Sequence, residues 1–425
     1  MMRYALYFCP APDSAWWEAG SRWLGRDAMQ TGRMAQNHIP GLPDIMLEKM
    51  TSAPSRYGFH ATLKAPFSLL EGFQENELIA MASAFAKVQH SIRLDKLQVG
   101  MMGDFLALRP SGNTAEINAL AMRCVSFFDV LRSAPDAAYL AKRRHAGLSA
   151  RQEALLQQWG YPYTEEEYRF HISLSDTLGE LDADAQYALR KAAEEHFGRL
   201  LDTQPLTLDA LTIFREEHPG APLTFWRRFP FQAVFQQKAL PRTGQLFYVV
   251  GPSGAGKDTL LQWVKNQASA SADLVFAQRV ITRPQHDSEQ HEAMSQEAYW
   301  QAAAAGHFCL QWQANGLCYG IRRNIEVQLR CGQDVVVNGS REYLPQIRQL
   351  FPDAKIVWIV ADPDLIRQRV EKRQRESGAA LLNRLDRGSR FAIPEENDII
   401  RIDNSGSIEL AGQQLLDILV AGHHS

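Results

Sequence analysis

The sequence predicts two domains of different class: a two-lobed α+β half, then an α/β half with a parallel sheet. Three observations carry this. "FHATLKAPF" (residues 59–67) and "FHISLSD" (170–176) repeat one pattern, each followed by a helical stretch and an L-D-x-L run. "QLFYVVGPSGAGKDTLLQWVKNQ" (245–267) reads as strand, glycine-rich loop and helix. "DVVVNG" and "AKIVWIVAD" read as fully buried strands separated by helical segments, the alternation of a parallel sheet covered by helices.

A chain of 425 residues has room for two or three such cores. The polar stretch "QQKALPRTG" (236–244), with Pro241 and Gly244 as breakers, divides it into 1–237 and 244–425. A net charge of -3 gives no global attraction for nucleic acid or anionic lipid, so neither partner is expected. No apolar run approaches the roughly 18–20 residues of a membrane span. The opening "MMRYALYFCPAP" is a first strand rather than a signal-peptide core. Five cysteines without C-x-x-C spacing fit reduced thiols, and the expected location is the cytoplasm. The oligomeric state is not set by these features.

In the first half both copies run F-H-x-[T/S]-L, helix, L-D-x-L. His60 precedes Asp95 by 35 residues and His171 precedes Asp209 by 38. This is a duplicated strand–helix–strand unit, and it predicts two pseudo-symmetric lobes facing across a cleft. In a strand, residues i and i+2 share a face. His60 then lies with Thr62 and His171 with Ser173, so a pseudo-twofold brings two imidazoles and two hydroxyls together. That set suits hydrolysis of a cyclic phosphodiester. One neutral imidazole takes a proton from water, the other as imidazolium protonates the departing oxygen, and the hydroxyls hold the phosphoryl oxygens. The scheme requires no cofactor.

These motifs resemble the 2H phosphoesterase superfamily. The openings "RYALYFCPAPDSAWW" and "RYGFHATLKAPF" are similar to its branch associated with phosphonate breakdown. The resemblance covers residues 2 to about 235. It implies His60, Thr62, His171 and Ser173 as the active centre. Arg56, Tyr57, Lys64 and Arg169 flank the motifs, either holding a second phosphate or standing as solvated strand-end residues.

In the second half, "GPSGAGKDT" (Gly251, Pro252, Ser253, Gly254, Ala255, Gly256, Lys257, Asp258, Thr259) is a phosphate-binding loop for ATP. Its backbone N–H groups and the following helix N-terminus face the phosphates, and Lys257 reaches the β- and γ-phosphates. Asp258 stands where a hydroxyl commonly ligates Mg²⁺. A carboxylate is a hard oxygen donor that holds Mg²⁺ directly or through its water. Asn338 stands where many such proteins carry an Asp, which weakens the metal site.

The loop, with "VITRP", "WQANGLCYG" and "VNGSR" in order, is similar to the guanylate-kinase-like P-loop kinases. More closely it resembles the ribose 1,5-bisphosphate phosphokinases, which carry the same Asp after the loop lysine. The resemblance spans residues 245 to about 420. It implies an acceptor pocket of Arg283, Glu289, His291, Tyr319 and Arg341, and a lid carrying Arg369, Arg373, Arg384 and Arg387. Arginine suits bidentate contact with phosphate.

Joined, the two resemblances imply one sequence of steps in phosphonate catabolism. A phosphoribosyl cyclic phosphate is opened to ribose 1,5-bisphosphate, which ATP and Mg²⁺ convert to 5-phosphoribosyl 1-pyrophosphate. The partners are then sugar phosphates and ATP. Two alternatives use the same parts: an RNA end-healing phosphodiesterase–kinase, and a phosphodiesterase carrying a non-catalytic kinase-like module. No basic–aromatic stripe supports the first, and an intact Lys257 argues against the second.

Overall fold

The computed structural model describes residues 2–421 apart from 31, 95, 146, 234–239, 269–272, 286–290, 315 and 373–398. The chain divides into two compact units, Met1–Pro241 and Arg242–Ser425.

The first unit has nine strands among its described residues: β1 (Arg3–Phe8), β2 (Ala61–Phe67), β3 (Ile92–Arg93), β4 (Leu97–Met102), β5 (Phe105–Pro110), β6 (Ile172–Thr177), β7 (Thr207–Leu208), β8 (Ala210–Glu216) and β9 (Thr224–Pro230). Seven form one antiparallel sheet in the order β4-β5-β6-β2-β1-β8-β9, while β3 pairs with β7. The sheet is symmetric about the boundary between β2 and β6. There β1 pairs with β2 and β8, as β5 pairs with β6 and β4. The lobes are therefore β4-β5-β6 and β8-β1-β2, with β9 added at one edge. Each copy of the duplicated unit sends one strand to each lobe: β2 and β4 part company, and so do β6 and β8.

Local sequence explains the elements. The helix Glu75–Val88 buries Leu78, Met81, Ala82, Phe85 and Ala86, the 3–4 spacing of one helical face, and Gln74 with Glu77 closes a capping box at its start. Its counterpart Ala183–Thr203 starts on Asp182, whose side chain accepts from the Ala185 amide, and it buries Leu189, Ala193 and Phe197. In β2, Ala61 and Leu63 are buried and Thr62 between them is half-buried; in β6, Ile172 and Leu174 flank a half-buried Ser173. This is the period of two that a one-sided strand requires.

The second unit has a parallel sheet in the order β11-β16-β10-β17-β18. Its strands are β10 (Leu246–Val250), β11 (Leu274–Phe276), β16 (Asp334–Asn338), β17 (Lys355–Val360) and β18 (Ile399–Asp403). The strands β12 (Arg279–Ile281), β13 (Glu292–Ala293), β14 (Phe308–Ala314) and β15 (Leu317–Arg322) form a smaller sheet ordered β13-β12-β15-β14. All five residues of β10 are buried because both faces are covered. Phe247 and Val249 pack with Leu260, Val264 and Leu415, whereas Leu246, Tyr248 and Val250 pack with Ile321, Ile325 and Ile347. Among the described residues no helix is long and apolar enough to cross a membrane. All five cysteines are free thiols.

Candidate active sites

In the first unit, β2 and β6 meet at Ala61 opposite Ile172. Continuing that antiparallel register sets His60 across from Ser173 and Thr62 across from His171. Residues opposite one another share a face, so the four groups of the two motifs converge around one residue pair.

Both histidines are held alike. His60 Nδ1–H donates to the Gly58 carbonyl and His171 Nδ1–H to the Arg169 carbonyl, each at 2.8 Å. This tether assigns the tautomer and leaves each Nε2 as an acceptor; Thr62 Oγ1 lies 3.2 Å from that of His60. The Gly58 carbonyl is aimed by a backbone at φ 78 and ψ 176, a region open in practice only to glycine. Burial pushes His60 down from 6.5 to about 4, with the Gly58 hydrogen bond opposing and His171 adding to the shift. Burial also lowers His171, opposed by the Arg169 carbonyl. In the free protein both rings therefore favour the neutral form, unlike the one-neutral, one-charged pair that the sequence predicts. A bound phosphate anion favours the imidazolium form.

A cavity of about 520 Å³ adjoins His171 and Thr62, with Phe67, Phe105, Trp159 and Tyr161 among its walls. Two of the flanking cations are engaged in structure. Arg56 Nη2 bonds Glu216 Oε1 at 2.6 Å, and the Glu216 side chain is fully buried. Lys64, with a side chain 4% exposed, pairs with Asp129 at 3.2 Å. Arg169 is exposed, and its Nη1 donates to the carbonyls of Glu166 and Tyr168.

Sequence reasoning named Tyr57 only as a flanking residue and missed Tyr7 and Tyr168. Tyr7 stacks on His60 with centroids 3.8 Å apart, and Tyr57 lies 6.1 Å from the same ring. Tyr168 donates its hydroxyl to the Thr62 carbonyl at 2.9 Å, tying one motif to the other. A signal for two of these was present, since Tyr57 and Tyr168 both stand three residues before their histidine. Tyr7 had none, because its partner is chosen by strand pairing.

In the second unit, residues 251–256 link β10 to the helix Lys257–Gln267, whose cap Gly256 has φ 86. A Cβ there would meet Asn404 Nδ2 at 2.5 Å. Lys257 Nζ donates to the Gly251 and Pro252 carbonyls at 2.7 and 3.2 Å, so the cation rests against the loop. Asp258 Oδ1 accepts from Arg279 Nη2 at 2.6 Å and Asn338 Nδ2 at 2.8 Å. The carboxylate absent from the end of β16 thus reappears on the facing helix. Its side chain is 37% exposed, which suits a carboxylate holding a hydrated Mg²⁺ beside bound phosphates.

Asn404, just after β18, is a residue the sequence did not single out. It donates to the Ala255 carbonyl at 2.7 Å and receives Arg369 on its own carbonyl at 3.2–3.3 Å. Arg369 is therefore brought against the phosphate loop. Arg373, Arg384 and Arg387 lie outside the described residues, as does Glu289.

Tyr319 lies on β15 and stacks on Trp312, centroids 5.5 Å apart at 3°. Arg283 follows β12, and Arg341 opens the short turn Arg341–Tyr343 after β16. His291 differs from its expected place on the pocket surface. It is 1% exposed, and its Nε2 lies 3.3 Å from the Arg283 carbonyl.

A family model described as a protein of unknown function (DUF1045) matches residues 62–224, and one described as an AAA domain matches residues 246–391. A protein of Janthinobacterium sp. (strain Marseille) named "Ribose 1,5-bisphosphate phosphokinase PhnN" is 54% identical over 419 residues, 99% of this chain and 92% of that one. One of the same name from Agrobacterium fabrum is 42% identical over 175 residues, 41% of this chain and 95% of that one. Among solved structures, guanylate kinase from Anaplasma phagocytophilum aligns with 42% of this chain and 86% of its own at 17% identity, with a TM-score of 0.32.

Proposed function

The chain belongs to the ribose 1,5-bisphosphate phosphokinase family, and from that membership we propose a bifunctional enzyme whose first half prepares the substrate of its second. The second unit phosphorylates ribose 1,5-bisphosphate. An oxygen of the 1-phosphate attacks the γ-phosphorus of ATP, the bond to the β–γ bridging oxygen breaks, and ADP leaves with 5-phosphoribosyl 1-pyrophosphate formed. The loop amides and Lys257 hold the nucleotide phosphates, while Arg283, Tyr319 and Arg341 hold the acceptor. Arg369 brings positive charge to the loop, where phosphoryl transfer is most helped by electrostatic complementarity. Asp258 would hold Mg²⁺, which when bound neutralises phosphate charge. The Agrobacterium relative carries the same name at about half this length, so one unit suffices for that activity. The unit with the phosphate loop is the one suited to it.

The first unit hydrolyses 5-phosphoribosyl 1,2-cyclic phosphate at its 2-oxygen. Water attacks phosphorus as His60 takes its proton, the P–O2 bond breaks, and His171 protonates the leaving oxygen. Thr62 and Ser173 hydroxyls donate to the non-bridging oxygens. The observation that carries this reading is the convergence of both H-x-[T/S] pairs around Ala61 and Ile172, with each Nδ1 tied to a carbonyl.

Phosphorus NMR of the purified chain with 5-phosphoribosyl 1,2-cyclic phosphate tests both steps. A 1,5-bisphosphate should appear without nucleotide and a 1-pyrophosphate after Mg-ATP. If the cyclic ester survives while added ribose 1,5-bisphosphate is phosphorylated, the hydrolase assignment is wrong and the kinase assignment stands.

A further inference from the structure

Arg143 lies in the helix Ala137–Arg144, in the segment that connects the two histidine strands. Its Cζ stands 5.1 Å from the Tyr139 ring centroid and 5.0 Å from that of Tyr161. Tyr161 walls the cavity that His171 and Thr62 also line. Tyr57, whose ring is 6.1 Å from His60, is near enough to act on Arg143 electrostatically. The guanidinium therefore stands against one tyrosine of the cavity that His171 lines and near a second that neighbours His60, although its helix is remote from both histidines in sequence.

Among the described residues no carboxylate pairs with Arg143. Its neighbour Arg144 has such a partner, Glu153, at 2.6 Å. Of the other cations near the histidines, Arg56 is matched with Glu216, and Lys64 and Arg132 with Asp129, whereas Arg169 is exposed and donates to the Glu166 and Tyr168 carbonyls. Arg143 is half-buried, and a desolvated guanidinium among aromatic rings favours an anion. The rings keep it in place, since Tyr139 is itself tied through its hydroxyl to the Gly160 carbonyl at 3.2 Å.

We propose that Arg143, braced by Tyr139 and Tyr161, is a phosphomonoester subsite that recognises a second phosphate of the substrate while its cyclic diester lies between His60 and His171. The substrate class is then narrower than cyclic phosphodiesters in general: sugar cyclic phosphates that also carry a terminal phosphate. This rests on the hydrolase reading above and names what it selects.

The test compares 5-phosphoribosyl 1,2-cyclic phosphate with ribose 1,2-cyclic phosphate, in wild type, Arg143→Gln and Arg143→Lys. Arg143→Gln should lower kcat/KM for the phosphorylated substrate by about 10- to 100-fold, mainly through KM, and leave the unphosphorylated one within about twofold. Arg143→Lys should recover part of the loss. Retained cleavage of ribose 1,2-cyclic phosphate by the same preparations reports intact folding of the first unit. Equal losses on both substrates, or no loss on either, would overturn the subsite. If wild type cleaves neither substrate, the hydrolase reading fails, and calorimetry with ribose 5-phosphate then decides the subsite alone. One binding event present in wild type and missing in Arg143→Gln supports it, and identical titrations reject it.

Discussion

At His60 and His171 the same carbonyl tether selects the same tautomer, and burial then moves both rings in one direction. The pH dependence follows from that direction. In the free enzyme His60 must be neutral, which holds above its value of about 4. His171 must carry its proton, which fails once the pH rises through a value that burial has lowered below 6.5. The kcat/KM profile for hydrolysis should therefore have its optimum on the acid side of 6.5, with the acid limb near 4. An optimum above 7 would show that the proton sits elsewhere. In the second unit, Asp258 and Asn338 form a linked pair rather than two separate departures from the usual loop. Asn338→Asp would set two carboxylates against each other, and Asp258→Ser would leave the pair without one. The double variant restores a single carboxylate facing a hydroxyl. Its kcat/KM for Mg-ATP should exceed that of Asn338→Asp, with a coupling of about 1–3 kcal/mol in the cycle. Additive losses would show that the two residues act independently.

The strands bearing the histidines are anchored through the phenylalanine that precedes each. Phe59 stacks on Phe197 with centroids 5.8 Å apart and lies over Gly20 of the helix Ala15–Leu24. A Cβ at Gly20 would meet the Phe59 ring at 2.1 Å. Gly20→Ala should cost about 1–3 kcal/mol of stability and lower hydrolysis while sparing phosphoryl transfer. Chemical denaturation with both assays on one preparation checks this. Such packing marks where the sequence stopped being legible. The period-two burial of His60–Thr62 and the strand–loop–helix at Gly251 are local patterns, and local spacing reveals them. The β2–β6 register, the stacking of Tyr7 on His60 and the hold of Asn404 on Ala255 join residues far apart in the chain. No window of sequence contains both partners. Arg143 was hidden in the same way: within "AKRR" it reads as one more solvated cation, and its tyrosine neighbours come from three separate segments.

At the scale of the molecule, each unit carries its own core and its own candidate chemistry. Lys257→Ala should reduce phosphoryl transfer by about 10²-fold or more and leave hydrolysis within twofold, while His60→Ala should do the reverse. Loss of both activities in either variant would mean that the units depend on each other. The first unit also bears on its own history. Because each duplicated segment sends one strand to either side of the sheet, neither copy closes a lobe alone. A single copy could complete such a sheet only by exchanging strands with an identical partner, which would set one histidine from each on a true molecular twofold. Such a site is chemically even-handed, with donor and acceptor of the proton indistinguishable. Joined in one chain, the two copies are free to differ. The lysine at position 64, answered in the other copy by Ser175, records that divergence.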